Sequence, residues 1–222
     1  MSYSVIIPNR YDDIITPLIK SLREFAPEAH VLIIADHHDR NYGYGIIRHE
    51  MERFQFAVAV NMGIEACPTD DIFLVNDDTI LLEPTFEPLL EVADKFPTVG
   101  ILSPLIRGCV GNPAQRYHEL KKHWVQYERI KFVNGAMPVC FPFVLLRRSM
   151  ISKIGLLDET IAGYGYDDDE YCQRARRMGF DTAITPDVVV QHGNGGRDLT
   201  RGSTWSCSFA RREKECRSVA SS

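Results

Sequence analysis

A chain of 222 residues with 25 basic and 30 acidic side chains, net charge −5, has no basic surplus to grip a phosphate backbone, so no nucleic-acid partner is expected. Its length suits one large domain or two small intimate ones, with a core that needs neither disulfides nor a structural metal. The opening MSYSVIIP lacks a secretory leader, and the longest nearly apolar stretch, Ala136 to Leu146, falls far short of the ~20 residues of a spanning helix. A soluble, cytoplasmic protein without a membrane span is expected.

Tyr3–Pro8 is a β-branched run ended by proline, which predicts a first strand. The segment DDIITPLIKSLREF places Ile14, Ile15, Leu18, Ile19, Leu22 and Phe25 on one stripe, predicting a helix. His30–Asp36 is a second strand ending on a polar residue. FAVAVNMGIEAC is helix-like and precedes a third strand, DIFLVND; TFEPLLEVADKF and VGILSPLI continue as helix and strand. This alternation predicts an α/β fold with a mostly parallel central sheet and helices on both faces. Beyond Ile106 the pattern loosens into a polar excursion, RGCVGNPAQRYHELKKHWVQYERI, and then PVCFPFVLLRRS, a strand entering a helix. The polar tail from Arg211 to Ser222 is expected to fray.

Ligands of such sheets bind beyond the carboxyl ends of the strands. The early strands end in Pro8-Asn9-Arg10, Asp36-His37-His38 and Asn76-Asp77-Asp78, so polar residues gather on one rim. Asp77 and Asp78 can hold a hard divalent cation and leave positions open for phosphate oxygens; they can equally form a polar turn. In GYGYDDDEYCQRARRMGF, Gly163 and Gly165 punctuate a loop, and Asp167, Asp168, Asp169 and Glu170 open a helix that stops at Gly179. Acids in a first turn complement the helix dipole by ~0.3–1 kcal/mol each, but four repel one another, and the excess points to a general base or a metal-linked site. VVVQHGNGG delivers His192 to a glycine-rich loop. It is an ordinary histidine or, if the loop lies near Asp78, a ligand of a Mn²⁺-like ion. His37 and His38 are most simply rim residues. The six cysteines, Cys67, Cys109, Cys140, Cys172, Cys207 and Cys216, include no CxxC, which fits reduced thiols.

From about Ser4 to Gly196 these pieces, in this order, resemble the family-2 inverting glycosyltransferases with the GT-A fold. SVIIPNRYD is similar to the first-strand motif beside the nucleotide base, HVLIIADHHD to the second strand, AVAVNMG to an Asn-x-Gly helix and FLVNDDT to the Asp-x-Asp position. LLRRSMISKIGLLDETIAGYGYDDDEYCQRARRMGF is similar to the acceptor-side block, and VVVQHGNGG to the strand whose histidine is a third metal ligand. The resemblance implies nucleotide contacts from Pro8, Asn9, Arg10, Asp36, Asn61, Asn76 and Asp77, with Asp36 on uracil or ribose. It implies Mn²⁺ or Mg²⁺ held by Asp78 and His192. The family's Glu-Asp pair falls on Asp167-Asp168, making Asp168 the expected general base and Asp169 its nearest competitor.

The implied reaction is metal-dependent, inverting transfer from a nucleotide-diphosphate sugar, UDP-sugar first and dTDP- or GDP-sugar after it, to a hydroxyl of a glycan or glycoconjugate acceptor. Residues 1–205 would form one catalytic domain, with a donor half (1–106) and an acceptor half (107–205), and 206–222 a tail. Two features depart from the family pattern: Arg10 displaces or replaces an aromatic near the base, and Asn76 stands in place of the first Asp. Arg197 and Arg201 either close over a diphosphate or lie in a solvated loop. Tyr117, Trp124 and Tyr127 either stack on a sugar or anchor their segment to the core. The alternatives are a catalytically silent nucleotide-sugar or glycan-binding module, and a sugar-phosphate nucleotidyltransferase. The latter is disfavoured because PNRYDDIITP carries no glycine for a phosphate loop.

Overall fold

Strand β1 (Tyr3–Asn9) is buried along nearly its whole length, as a strand flanked by strands and covered on both faces must be. In the computed structural model, which describes residues 2–10, 13–38, 40–52, 54–68, 70–108, 110–117, 130–133, 138–161 and 166–193, β1 pairs in parallel with β2 (His30–Asp36) and β4 (Asp71–Val75). Outside β2 lies β3 (Gly45–His49), also parallel. From β4 the sheet continues through β8 (Phe143–Leu146), β6 (Val99–Gly108) and β9 (Asp181–His192) to β5 (Thr79–Leu81); β7 (Lys131–Phe132) also pairs with β9.

The sheet is mixed rather than mostly parallel. The strands β1, β2 and β4 are parallel as expected, with the unforeseen β3 joining them in parallel, but β8 runs antiparallel to β4 and β6. β5 and β7 run antiparallel to β9. Inserting the fully buried FVLL strand between β4 and β6 turns the second half of the sheet into a different pattern.

Strand side chains alternate between faces, and the core divides accordingly. Val5, Ile7, Phe73 and Val75 pack with Leu18 and Leu22 of α1 (Thr16–Phe25) and Phe86 and Leu89 of α3 (Phe86–Lys95). Ile6, Ile72 and Leu74 pack with Val60 and Ile64 of α2 (Phe56–Ala66), Met150 of α4 (Arg148–Ile154) and Tyr171 of α5 (Asp167–Arg177). Helices therefore cover both faces. At α2 the approach is close: a Cβ on Gly63 would stand 2.4 Å from Ile6 Cγ2, so the glycine of Asn61-Met62-Gly63 is a packing requirement. Among the described residues no helix is long and apolar enough to cross a membrane.

The chain moves outward from β1 to β2 and β3, then returns to β4 on the other side of β1. Pairing of β1 with β4 stops at Ile6↔Leu74, while pairing with β2 runs on to Asn9↔Ala35. The strands thus part beyond Ile6, opening a crevice at the switch point where ligands of α/β sheets bind.

Candidate active site

The crevice is bridged by one hydrogen-bonded chain. Asn9, fully buried at the end of β1, donates from Nδ2 to Asp77 Oδ2 at 2.8 Å. Its Oδ1 then accepts, so His38 Nε2, 2.7 Å away, is the donor. That tautomer leaves His38 Nδ1 as an acceptor, and this atom is buried without a hydrogen-bond partner. His38 was expected to be only a rim residue; its place in this chain becomes visible once Asn9 and Asp77 meet. Asp36 is 1% exposed. Its Oδ1 accepts from the Met51 amide at 2.9 Å, with His37 Nε2 at 3.6 Å. Its Oδ2 has Arg10 Nε at 3.9 Å and no hydrogen bond. A buried carboxylate oxygen left unbonded costs about 1–3 kcal/mol, a cost that a ligand N–H or O–H would remove.

Asp78 and His192 are joined by the sheet. The turn from β4 is fixed where Asn76 N donates to Pro142 O at 2.9 Å and Thr79 Oγ1 donates to the same oxygen at 3.0 Å. β5 then runs antiparallel to β9 with Thr79 opposite His192. The residue just before this pair is Asp78, and His192 Nε2 lies 3.1 Å from its Oδ1. Gly193 N donates to Asp78 O at 3.1 Å. Two ligands at ~2.0–2.2 Å from an octahedral ion stand roughly 3 Å apart when adjacent, so the pair fits a Mn²⁺- or Mg²⁺-type ion, and the same spacing serves as an ion pair without one. Among the described residues no further His, Cys, Asp or Glu joins them to make a group of three.

Gly108 holds this corner. It pairs with His192 across β6 and β9 with φ +105°, and an added Cβ would lie 2.2 Å from the His192 carbonyl oxygen. Backbone cannot yield as a side-chain tip can. Gly108→Ala is expected to lower stability by about 2 kcal/mol or more, which thermal unfolding checks.

Burial pushes the Asp77 carboxyl up from 3.8 to about 6; the Asn9 hydrogen bond opposes this and the Asp78 carboxylate adds to it. A group that binds its proton more tightly when folded stabilises the protein below its unfolded pKa. That stability is lost as pH rises from about 4 to about 6. Each pH unit in that window is ~1.4 kcal/mol. In the metal-free protein, Asp77→Asn, which keeps an oxygen for Asn9, should therefore melt above wild type at pH 7.5 and match it near pH 4, as paired thermal melts would show.

The acidic run opens α5 as expected. Asp167 is buried and Asp168 and Asp169 are half-buried; Asp168 Oδ1 accepts the Asp169 amide at 3.0 Å. The Cys140 thiol is pushed up to about 12, by burial first and then by Asp168, with Asp169 acting more weakly. Among the carboxylates Asp168 thus acts most strongly on the Cys140 thiol, two residues before Pro142, whose carbonyl accepts from Asn76 and Thr79. Gln115 fixes that segment by bonding Cys140 N at 2.7 Å and Cys140 O at 2.9 Å. Glu170 forks onto Arg174 at 2.9 and 2.7 Å, and Arg174 also bonds the Ile154 and Leu156 carbonyls. Glu170 therefore serves the fold.

Asn61 lies deep in α2, with bonds to Leu157 O and N at 2.9 Å and to Glu159 Oε1 at 2.8 Å. These tie α2 to the turn leading toward α5. Pro8 stands in β1 opposite Ile34. Tyr117 is anchored under the Arg107 guanidinium at 5.3 Å from its ring centre. Trp124, Tyr127, Gly163, Gly165, Arg197 and Arg201 lie outside the described residues.

The model of the family described as glycosyltransferase like family 2 matches residues 26–218. GalNAc-T7, crystallised with UDP, GalNAc and Mn²⁺, superposes with a TM-score of 0.66 at 14% identity, covering 87% of this chain and 44% of that one. TarS of S. aureus gives 0.63 at 13% identity over 87% and 37%, and its 1–349 form 0.62 at 14% over 87% and 60%. This chain spans less than two thirds of each, and identities so low speak for the fold alone. No curated protein sequence matches it. The family match over most of the chain and the shared architecture agree: this chain belongs to glycosyltransferase family 2 and has the GT-A fold.

Proposed function

We propose that this chain is the catalytic unit of a metal-dependent, inverting glycosyltransferase that uses a nucleotide-diphosphate sugar, UDP-sugar first, and transfers to a hydroxyl of a glycan or glycoconjugate. The observation that carries this reading is the Asp78–His192 pair, 3.1 Å apart, at the switch-point crevice. Residues 1–106 form the donor half, 107–205 the acceptor half and 206–222 a tail. Asp36 Oδ2 takes a hydrogen bond from the uracil or ribose, beside Pro8, Asn9 and Arg10. Asn76 and Asp77 flank the diphosphate. Asp78 and His192 hold Mn²⁺ or Mg²⁺, which when bound offsets the negative charge on the departing diphosphate. Asp168 accepts the proton of the acceptor hydroxyl as its oxygen attacks the anomeric carbon. The bond to the diphosphate breaks with its electron pair leaving on UDP, and the configuration inverts. The amides at the start of α5 favour the ionised carboxylate this requires. Asp167 and Asp169 flank it.

The reading is tested by following nucleotide release from a panel of UDP-, dTDP- and GDP-sugars with Mn²⁺, Mg²⁺ or EDTA, with product configuration assigned by NMR. Metal-dependent turnover of a UDP-sugar with inversion is expected; equal rates in EDTA, or retention of configuration, would contradict it.

A further inference from the structure

At the edge of the sheet opposite the crevice, where β1, β2 and β4 begin, three side chains with metal-binding chemistry converge. His30 opens β2, Cys67 follows the last residue of α2, and Asp70 immediately precedes β4. A ring nitrogen of His30, the Cys67 sulfur and a carboxylate oxygen of Asp70 all lie within 4.8 Å of one another. Ligands of a tetrahedral zinc ion stand roughly 3.3–3.7 Å apart at bond lengths of ~2.0–2.3 Å, so side-chain movements of about an ångström would close the set.

Ser4 organises the cluster. It is fully buried in β1 and pairs with His30 in register. Its hydroxyl lies 2.5 Å from Asp70 Oδ2 and 2.8 Å from His30 Nδ1. A serine has one proton to donate. With that proton on the carboxylate side, Oγ accepts from Nδ1–H and the imidazole lone pair is left on Nε2. An ion taken by Nε2 would keep this bond, as metal-bound histidines are commonly held through their other nitrogen; one taken by Nδ1 would displace the serine from it. Because the serine and not the imidazole is central, the group is not a nucleophile–base–acid relay. Arg148 fixes the backbone at both other ligands, donating from Nη2 to Cys67 O at 2.5 Å and from Nε to Asp70 O at 2.8 Å.

We propose that His30, Cys67 and Asp70 form a transition-metal site, with Zn²⁺ as its preferred ion, separate from the Asp78–His192 pair. Thiolate, imidazole and carboxylate together favour Zn²⁺ over the harder Mn²⁺ and Mg²⁺. The seven residues of β1, at ~3.3 Å each, separate the two sites by roughly 20 Å. His30 is exposed, so the ion enters from solvent. Binding converts the Cys67 S–H to a thiolate and releases its proton to solvent, with water in the fourth position. The bound ion ties together the start of β2, the end of α2 and the approach to β4.

Co²⁺ titrated into the metal-free full chain tests this by absorbance. A thiolate-to-cobalt charge-transfer band that saturates at a single equivalent and is displaced by Zn²⁺ is expected. It should vanish in Cys67→Ser, require ~10-fold or more Co²⁺ in His30→Gln, and persist in Asp78→Ala. Circular dichroism confirms that Cys67→Ser is folded; His30→Gln, at an exposed residue, decides the matter if it is not. No band in the wild type, or a band undiminished in the folded variants, overturns the proposal.

Discussion

Asp168→Asn is expected to slow transfer from the nucleotide-sugar donor by ~10²–10⁴-fold, the range a positioned general base supplies, while UDP binding stays close to wild type. The asparagine is nearly isosteric, and its Oδ1 can still accept the Asp169 amide that Asp168 accepts at 3.0 Å, so the start of α5 should survive. What is lost is the ability to take a proton. Asp169→Asn supplies the contrast. With Asp168 as the proposed base, loss of the Asp169 carboxylate should cost much less turnover. Steady-state kinetics on both variants, with melting curves to confirm folding, separate the two. Wild-type turnover in Asp168→Asn would remove it from the role of base, and a larger loss in Asp169→Asn would move that role by one residue.

The second large effect belongs to Asp78→Ala. This removes one of the two protein ligands proposed for the ion and leaves His192 without the carboxylate 3.1 Å from its Nε2. Altering residues that merely support a metal ligand lowers affinity by ~10–100-fold, so loss of the ligand itself should reach at least the upper end of that range. Mn²⁺ titration followed by water-proton relaxation, together with donor turnover over a range of Mn²⁺ concentrations, checks this. Both curves should shift together. Full activity of Asp78→Ala at low Mn²⁺ would separate the ion from this residue.

The sequence makes some of this legible for physical reasons. Strands buried on both faces appear as near-continuous apolar runs, so β1, β2 and β4 and the polar residues at their ends stand out; Leu18, Ile19 and Leu22 mark α1 by their spacing. Short strands leave no such trace. β5 is three residues long and is visible only as the apolar run after Asp78. β3 is a partly exposed edge strand, and β9 carries Pro186 within its length and pairs with β6 through register shifts. The direction of β8 depends on its neighbours and not on its composition.

The site follows the same division. Asp78 and His192 are each visible as polar residues flanking a strand, but their contact depends on the register of β5 on β9, which no local pattern encodes. His38 joins the site through Asn9 and Asp77, residues distant in sequence. Asn61 stands in a recognisable Asn-x-Gly, but its bonds to the 157–159 turn join residues distant in sequence, which no local pattern encodes.

Equilibrium binding of UDP to the wild-type chain and to Asp78→Ala, each with Mn²⁺ and with EDTA, tests the central claim most directly. A crevice that holds a diphosphate through a cation on Asp78 and His192 predicts tight UDP binding only in the wild type with Mn²⁺, and weak, equal binding in the other three samples. The same affinity in all four would contradict it.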